Sequence, residues 1–211
     1  MNLEWKPYLE VRQQWPNQGR TILASYNEHH IVVYQAYRHE IADIAIARQR
    51  FEAPFSMQRM SWIKPNFLWM MHRCGWGTKP DQQRVLAVHL PRVAFELIVS
   101  QAVWSSFQTD LHASRDEWHA EVQRSDVRLQ WDPDHAPDGA PLERRAIQLG
   151  LRGEVLRQYA LEWPVRIEDV SHMVQKQHPQ IAYEFRLEVP NERTFPITDP
   201  IIRGRLKLEE P

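Results

Sequence analysis

Cys74 is the only cysteine in 211 residues, which excludes an intramolecular disulfide and any cysteine-cluster metal site. Glycine is scarce too, at seven. No Gly-x-x-x-x-Gly-Lys phosphate loop, Gly-x-Gly-x-x-Gly turn or Gly-x-Ser-x-Gly nucleophile elbow occurs. The ten histidines are scattered and none sits in a His-Glu-x-x-His frame, so no metal is expected. The adjacent pair His29 and His30 reads as a surface pair. No run approaches the roughly eighteen apolar residues that span a bilayer. Residues 1–7 lack a basic segment followed by an apolar one, so neither a membrane nor a secretion signal is expected, and the cytoplasm is the default compartment.

Acid is missing where it matters most. Arg59 to Trp76 holds three tryptophans (Trp62, Trp69, Trp76) and three fixed cations (Arg59, Lys64, Arg73) in eighteen residues without one carboxylate. From Arg59 to Arg84 the local balance is +4, against −5 for the rest of the chain and −1 overall. Broad rings interleaved with positive charge suit a ligand that is both aromatic and anionic. A local field on a mildly acidic body favours a compact nucleotide-like ligand over a long polyanion.

The chain reads as an irregular lead-in over 1–19, one α+β domain over 20–197 and a tail over 198–211. Arg20–Tyr26 and Ile31–Tyr37 are rich in β-branched and aromatic residues and predict a hairpin. Strands are also expected at Met60–Ile63, Arg84–Leu90, Val127–Trp131 and Arg145–Leu151, with a proline-rich excursion over Asp132–Pro141. Helices are expected over Glu40–Arg50, after Pro65 up to Gly75, after Pro91, from a Ser114 capping box, and near Glu154–Leu161 and Ser171–Gln177. The helix after Pro91 should bury Ala94, Leu97, Ile98 and Ala102. Strands and helices are mixed and the hairpins imply antiparallel pairing, so the fold class is α+β with a mixed or antiparallel sheet, whole or split, flanked by helices.

Three local patterns carry candidate chemistry. Gln35 shares a strand face with Ile31, Val33 and Tyr37, and is either a core hydrogen-bond hub or a ligand contact. Gln148 is flanked on its own face by Ala146 and Gly150, which leaves room for a ligand or for a closely packed element. Lys64 precedes Pro65, and the first-turn N–H groups of the helix that Pro65 opens would form an anion site beside it. Trp76, between two glycines, reads as an exposed stacking ring, whereas Trp62 and Trp69 read as partly core.

The phrases Val33–Tyr37, Arg59–Met71, Arg73, Gly75–Lys79, Gln130–Pro133 and Arg145–Leu151 closely resemble the family catalogued as domain of unknown function 4291, from about Arg20 to Pro196. The order of elements also resembles the split-sheet core of ADP-ribosyltransferases, which bind NAD between two small sheets. That likeness implies NAD as the bound nucleotide, with Ser61 and Gln148 at catalytic positions. The first core strand departs from the pattern, offering Tyr34 or Gln35, and Arg38 only at its end. The expected ligand contacts are then Tyr34, Gln35, Arg59, Trp62, Lys64, Arg73, Trp76 and Lys79, with Arg59 and Lys64 on phosphates, Trp76 or Tyr34 against a ring, and Gln148 near the reacting ribose. The rival from another class is a non-catalytic module that holds RNA or DNA ends through the same cations and rings.

Overall fold

A computed structural model describes residues 1–209. In chain order the elements are β1 (Trp5–Pro7), α1 (Tyr8–Val11), β2 (Gly19–Arg20), β3 (Leu23–Ala24), β4 (His30–Tyr37), α2 (His39–Arg48), β5 (Ser61–Ile63) and α3 (Phe67–Cys74). There follow β6 (Arg84–Pro91), α4 (Arg92–Ser100), β7 (Ala102–Trp104), α5 (Arg115–Arg124), β8 (Val127–His135), β9 (Pro141–Leu151) and α6 (Gly153–Leu161). Last come β10 (Arg166–Asp169), α7 (Ser171–Gln177), β11 (Glu188–Pro190), β12 (Arg193–Thr194) and α8 (Pro200–Leu206). No helix among the described residues is long and apolar enough to cross a membrane.

The α+β architecture rests on two sheets. The smaller has the order β10-β6-β4 and is antiparallel throughout. The larger is built on the β8–β9 hairpin, with β7 parallel to β8, and with β2 and β5 along the other edge of β9. The mixed sheet predicted from the sequence is thus split.

Side-chain alternation along β4 explains how the layers form. Ile31, Val33 and Tyr37 enter the core between the sheets, with Leu86 and Val88 of β6, Leu149 and Ile147 of β9, and the buried faces of α2, α4 and α6. Val32 and Tyr34 point the other way, into a second core with Val85, Ala87, the apolar residues of α3, and Tyr8 and Val11 of α1. Both faces of the smaller sheet are therefore covered, which is why β4 and β6 read as near-continuous apolar runs.

Several expectations are corrected. The lead-in is structured: β1 pairs antiparallel with β11, and Tyr8, Val11 and Trp15 are buried. The predicted first hairpin survives only as the bridge Tyr26–Ile31, because β2 and β3 are claimed by β9 and β12. The proline-rich excursion shrinks to a short turn, since β8 runs on to His135 and β9 begins at Pro141, with a register shift between Pro133 and His135. A shift of this kind is where a strand tolerates a residue without an N–H. Leu97 faces solvent, and α4 instead buries Ala94, Phe95, Ile98 and Val99, while Ala102 belongs to β7. Residues 188–194, at the end of the predicted domain, contribute β11 and β12, and the tail contributes α8; its residues 210–211 lie outside the described residues.

Candidate functional site

The two sheets meet at one backbone bridge, where Tyr34 N donates to Lys64 O (2.7 Å) and Lys64 N donates to Tyr34 O (3.2 Å). Beyond it β4 and β5 are joined through side chains. Gln35 Nε2 donates to Ser61 Oγ (2.8 Å) and Trp62 O (3.2 Å), and Tyr37 Oη lies 3.1 Å from Ser61 Oγ. Tyr159 of α6 donates to Gln35 Oε1 at 2.7 Å. Burial raises the hydroxyl pKa of both Tyr37 and Tyr159, so each keeps its proton. Gln35 is therefore the hub of a buried network that holds the sheets together where the backbone ladder stops.

A cleft of about 770 Å³ opens at this junction. Its walls come from the end of β4, the loop before β5, β5 itself, the last turn of α3 and the loop after it. Arg59, Lys64 and Arg73 all line it, with Trp62 between them in sequence, and Asp81 is the one carboxylate on the wall. None of the three cations makes an ion pair or a side-chain hydrogen bond among the described residues. Other arginines are spoken for: Arg38 on the same wall meets Glu40 (3.4 Å), and elsewhere Arg84 binds Asp43 (2.6 Å) and Asp169 (2.7 Å) and Arg50 binds Glu52. Lys64 is only 6% exposed. Burial, then the neighbouring Arg73 charge, lowers its amine to about 8, with Asp132 opposing.

The cleft brings together Gln35, Arg59, Ser61, Trp62, Lys64 and Arg73 from the predicted set. The remaining expectations are corrected. Tyr34 is fully buried, edge-on to Phe67, and cannot meet a ligand. Trp76 is buried as well. Its backbone is left-handed (φ 54°), like Gly75 and Gly77 on either side, and this turn folds the indole back against Phe67 and His178 and its N–H onto Pro137 O (3.2 Å). Lys79 closes the C-terminus of α3 by donating to His72 O and Arg73 O. Gln148 lies off the cleft wall, its amide donating to Asp132 Oδ2 (2.7 Å) beside the matching Gln130–Asp132 bond (2.8 Å). The space over Gly150 is filled by Met60 and Trp62, whose atoms a Cβ there would meet at 2.5 and 3.0 Å.

The first turn of α3 is not an anion site. Asn66, not Pro65, caps the helix by accepting from Trp69 N (2.6 Å), and Glu192 Oε1 accepts from Phe67 N at 2.7 Å. Glu192 is missed by any local reading because it arrives from 125 positions further along the chain. Its carboxyl is almost wholly buried, Oε2 has no partner, and desolvation holds its pKa well above the ordinary range. The folded state therefore keeps this proton while the unfolded chain releases it, and stability falls as pH rises past the usual carboxylate pKa. Glu192→Gln is expected to raise the melting temperature at pH 7 by a few degrees, the scale of about 1 kcal/mol in a chain of this size. The gain should shrink as pH is lowered towards 4; a variant that melts lower at both pH values contradicts the protonated assignment.

A two-layered α+β domain, split along one bridge and holding a cationic cleft at the split, is the class that fold and site define. The family described as Domain of unknown function (DUF4291) matches residues 21–195, and the chain belongs to that family. No curated protein matches the sequence.

Proposed function

We propose that the cleft binds a nucleotide-like, phosphate-bearing ligand and that the protein is an enzyme resembling ADP-ribosyltransferases, with NAD as the nucleotide. The observation that carries this reading is the set Arg59, Lys64 and Arg73 around one cleft, none of them ion-paired among the described residues. Like charges held together and unpaired are unfavourable without an anion, and charge-assisted contacts to phosphate offset that cost. The volume of about 770 Å³ lies within the range of sites for nucleotide-sized ligands. Phosphate oxygens would sit against the guanidiniums of Arg59 and Arg73 with Lys64 beside them. Trp62, half-buried on the wall, takes over the ring-stacking role that Trp76 and Tyr34 cannot fill.

When bound, NAD supplies an ADP-ribosyl group with nicotinamide as the leaving group. Ser61 Oγ is oriented by Gln35 and Tyr37, and the amide of Gln148 by Asp132. The β5–β9 register ends at Ile63–Leu149, so Lys64 and Gln148 come next on the two strands. Gln148 nonetheless lies off the cleft wall with its amide held by Asp132, so of the two expected catalytic residues only Ser61 stays in this reading.

Calorimetry with NAD and ADP-ribose, together with chromatographic detection of nicotinamide, tests the proposal. Binding of either nucleotide, with nicotinamide released from NAD, supports it. No binding at millimolar NAD, combined with oligonucleotide affinity that falls steeply with added salt, would replace it by the nucleic-acid-end reading.

A further inference from the structure

Lys64 differs from every other lysine in the chain, and the difference is chemical. Of the five lysines, Lys6 sits between Glu4 (3.6 Å) and Glu10 (3.8 Å), and Lys176 meets Glu188 (3.5 Å). Lys207 binds Asp110 (2.6 Å) and Gln108 (2.9 Å), and Lys79 is committed to two backbone carbonyls at the end of α3. Among the described residues only Lys64 is both buried and without a partner, and it lines the cleft. The groups acting on it are Arg73 and Cys74 of α3 and Asp132 of β8.

An amine held in no ion pair, desolvated and beside a fixed cation, is in the environment in which lysine serves as a nucleophile. Arg59 and Arg73 on the same wall would orient an anionic substituent while the amine faces the rest of the molecule. We propose that Lys64 captures a phosphate-bearing aldehyde, such as an open-chain sugar phosphate, as a Schiff base in this cleft. The neutral nitrogen adds to the carbonyl carbon, and its two hydrogens leave with the carbonyl oxygen as one water, forming a C=N bond. No redox partner is needed. The lowered amine supports this, because with its value at about 8 the neutral fraction at pH 7 is more than about a hundredfold that of an ordinary lysine. The inference rests on the cleft being a phosphate site, and adds a covalent step that nucleotide binding does not require.

The test uses the unmodified protein and pyridoxal 5′-phosphate as a reagent, with pyridoxal as the phosphate-free control. Borohydride fixes any imine, and peptide mass spectrometry locates it. One adduct per chain at Lys64 is expected, formed at least about tenfold faster than at the other four lysines. Pyridoxal should label Lys64 about tenfold more slowly, and Arg59→Gln with Arg73→Gln should bring the phosphate reagent down to that rate, as expected for lost charge-assisted contacts. Labelling that spreads over the exposed lysines and spares Lys64 overturns the proposal, as does equal labelling by the two reagents. Calorimetric binding of NAD or ADP-ribose without a Lys64 adduct removes the covalent step and leaves the nucleotide reading. An adduct in a protein that binds neither nucleotide does the reverse.

Discussion

Arg59→Gln combined with Arg73→Gln should weaken ADP-ribose or NAD binding by at least about a hundredfold and leave the melting temperature unchanged or slightly higher. Each charge-assisted contact to phosphate is worth about 1.5–3 kcal/mol, and about 2.7 kcal/mol corresponds to a hundredfold in affinity. The stability half of the prediction follows from the side chains themselves. Both arginines are exposed, neither has a partner among the described residues, and Arg73 adds positive charge beside Lys64. Arg84 provides the contrast. It ties β6 to Asp43 of α2 and Asp169 of β10, so Arg84→Gln should lower stability by about 1 kcal/mol and leave affinity alone. Calorimetric titration and thermal melts of the variants decide the matter. Unchanged affinity in the double variant would mean that these cations only solvate the surface.

Ligand binding and fold would be coupled at this place. Two sheets joined by a single backbone bridge leave an edge that has to be satisfied by side chains. Ser61 and the carbonyl of Trp62 are satisfied by Gln35. The same divergence that removes backbone pairing opens the cleft, so the network that stabilises the junction also fixes the wall carrying Trp62 and Lys64.

Much of this was legible in the sequence. The apolar runs of β4 and β6, the Ser114 cap of α5, the Gly75 stop of α3 and the acid-free stretch around Lys64 all act over a few residues, and local rules reach them. Charge pattern found the cations because a patch without acid leaves few carboxylates nearby to neutralise it. The failures share a physical cause, which is that burial is decided by distant elements. Tyr34 alternates on β4 like a surface residue could, but α3 covers that face. Trp76 looks exposed between glycines, yet its left-handed turn points the ring inward. Glu192 caps α3 from 125 positions away, and β11 and β12 exist because the N-terminal strands offer them partners. No window of the sequence contains both members of those pairs.

Gln35→Leu should cost about 2–4 kcal/mol, a drop of roughly 5–15 °C in melting temperature, although it conserves volume and adds an apolar side chain to a core position. Gln35 is 3% exposed and makes three hydrogen bonds, to Ser61, the Trp62 carbonyl and Tyr159. Leucine offers none, and the fully buried Tyr159 hydroxyl would then have no acceptor, wedged beside Phe51 with rings 5.7 Å apart. An unpaired buried polar group costs about 1–3 kcal/mol, more than a leucine gains there. Adding Tyr159→Phe to Gln35→Leu removes the orphaned hydroxyl, so the double variant should be more stable than Gln35→Leu alone, with a coupling of about 1 kcal/mol in a double-mutant cycle. Ser61 keeps Tyr37 as its remaining partner, but the wall bearing Trp62 loses its tie to β4, so affinity for ADP-ribose should fall along with stability. A Gln35→Leu protein that melts within a degree of the original would show that the network is not what joins the sheets, and the link between junction and cleft would go with it.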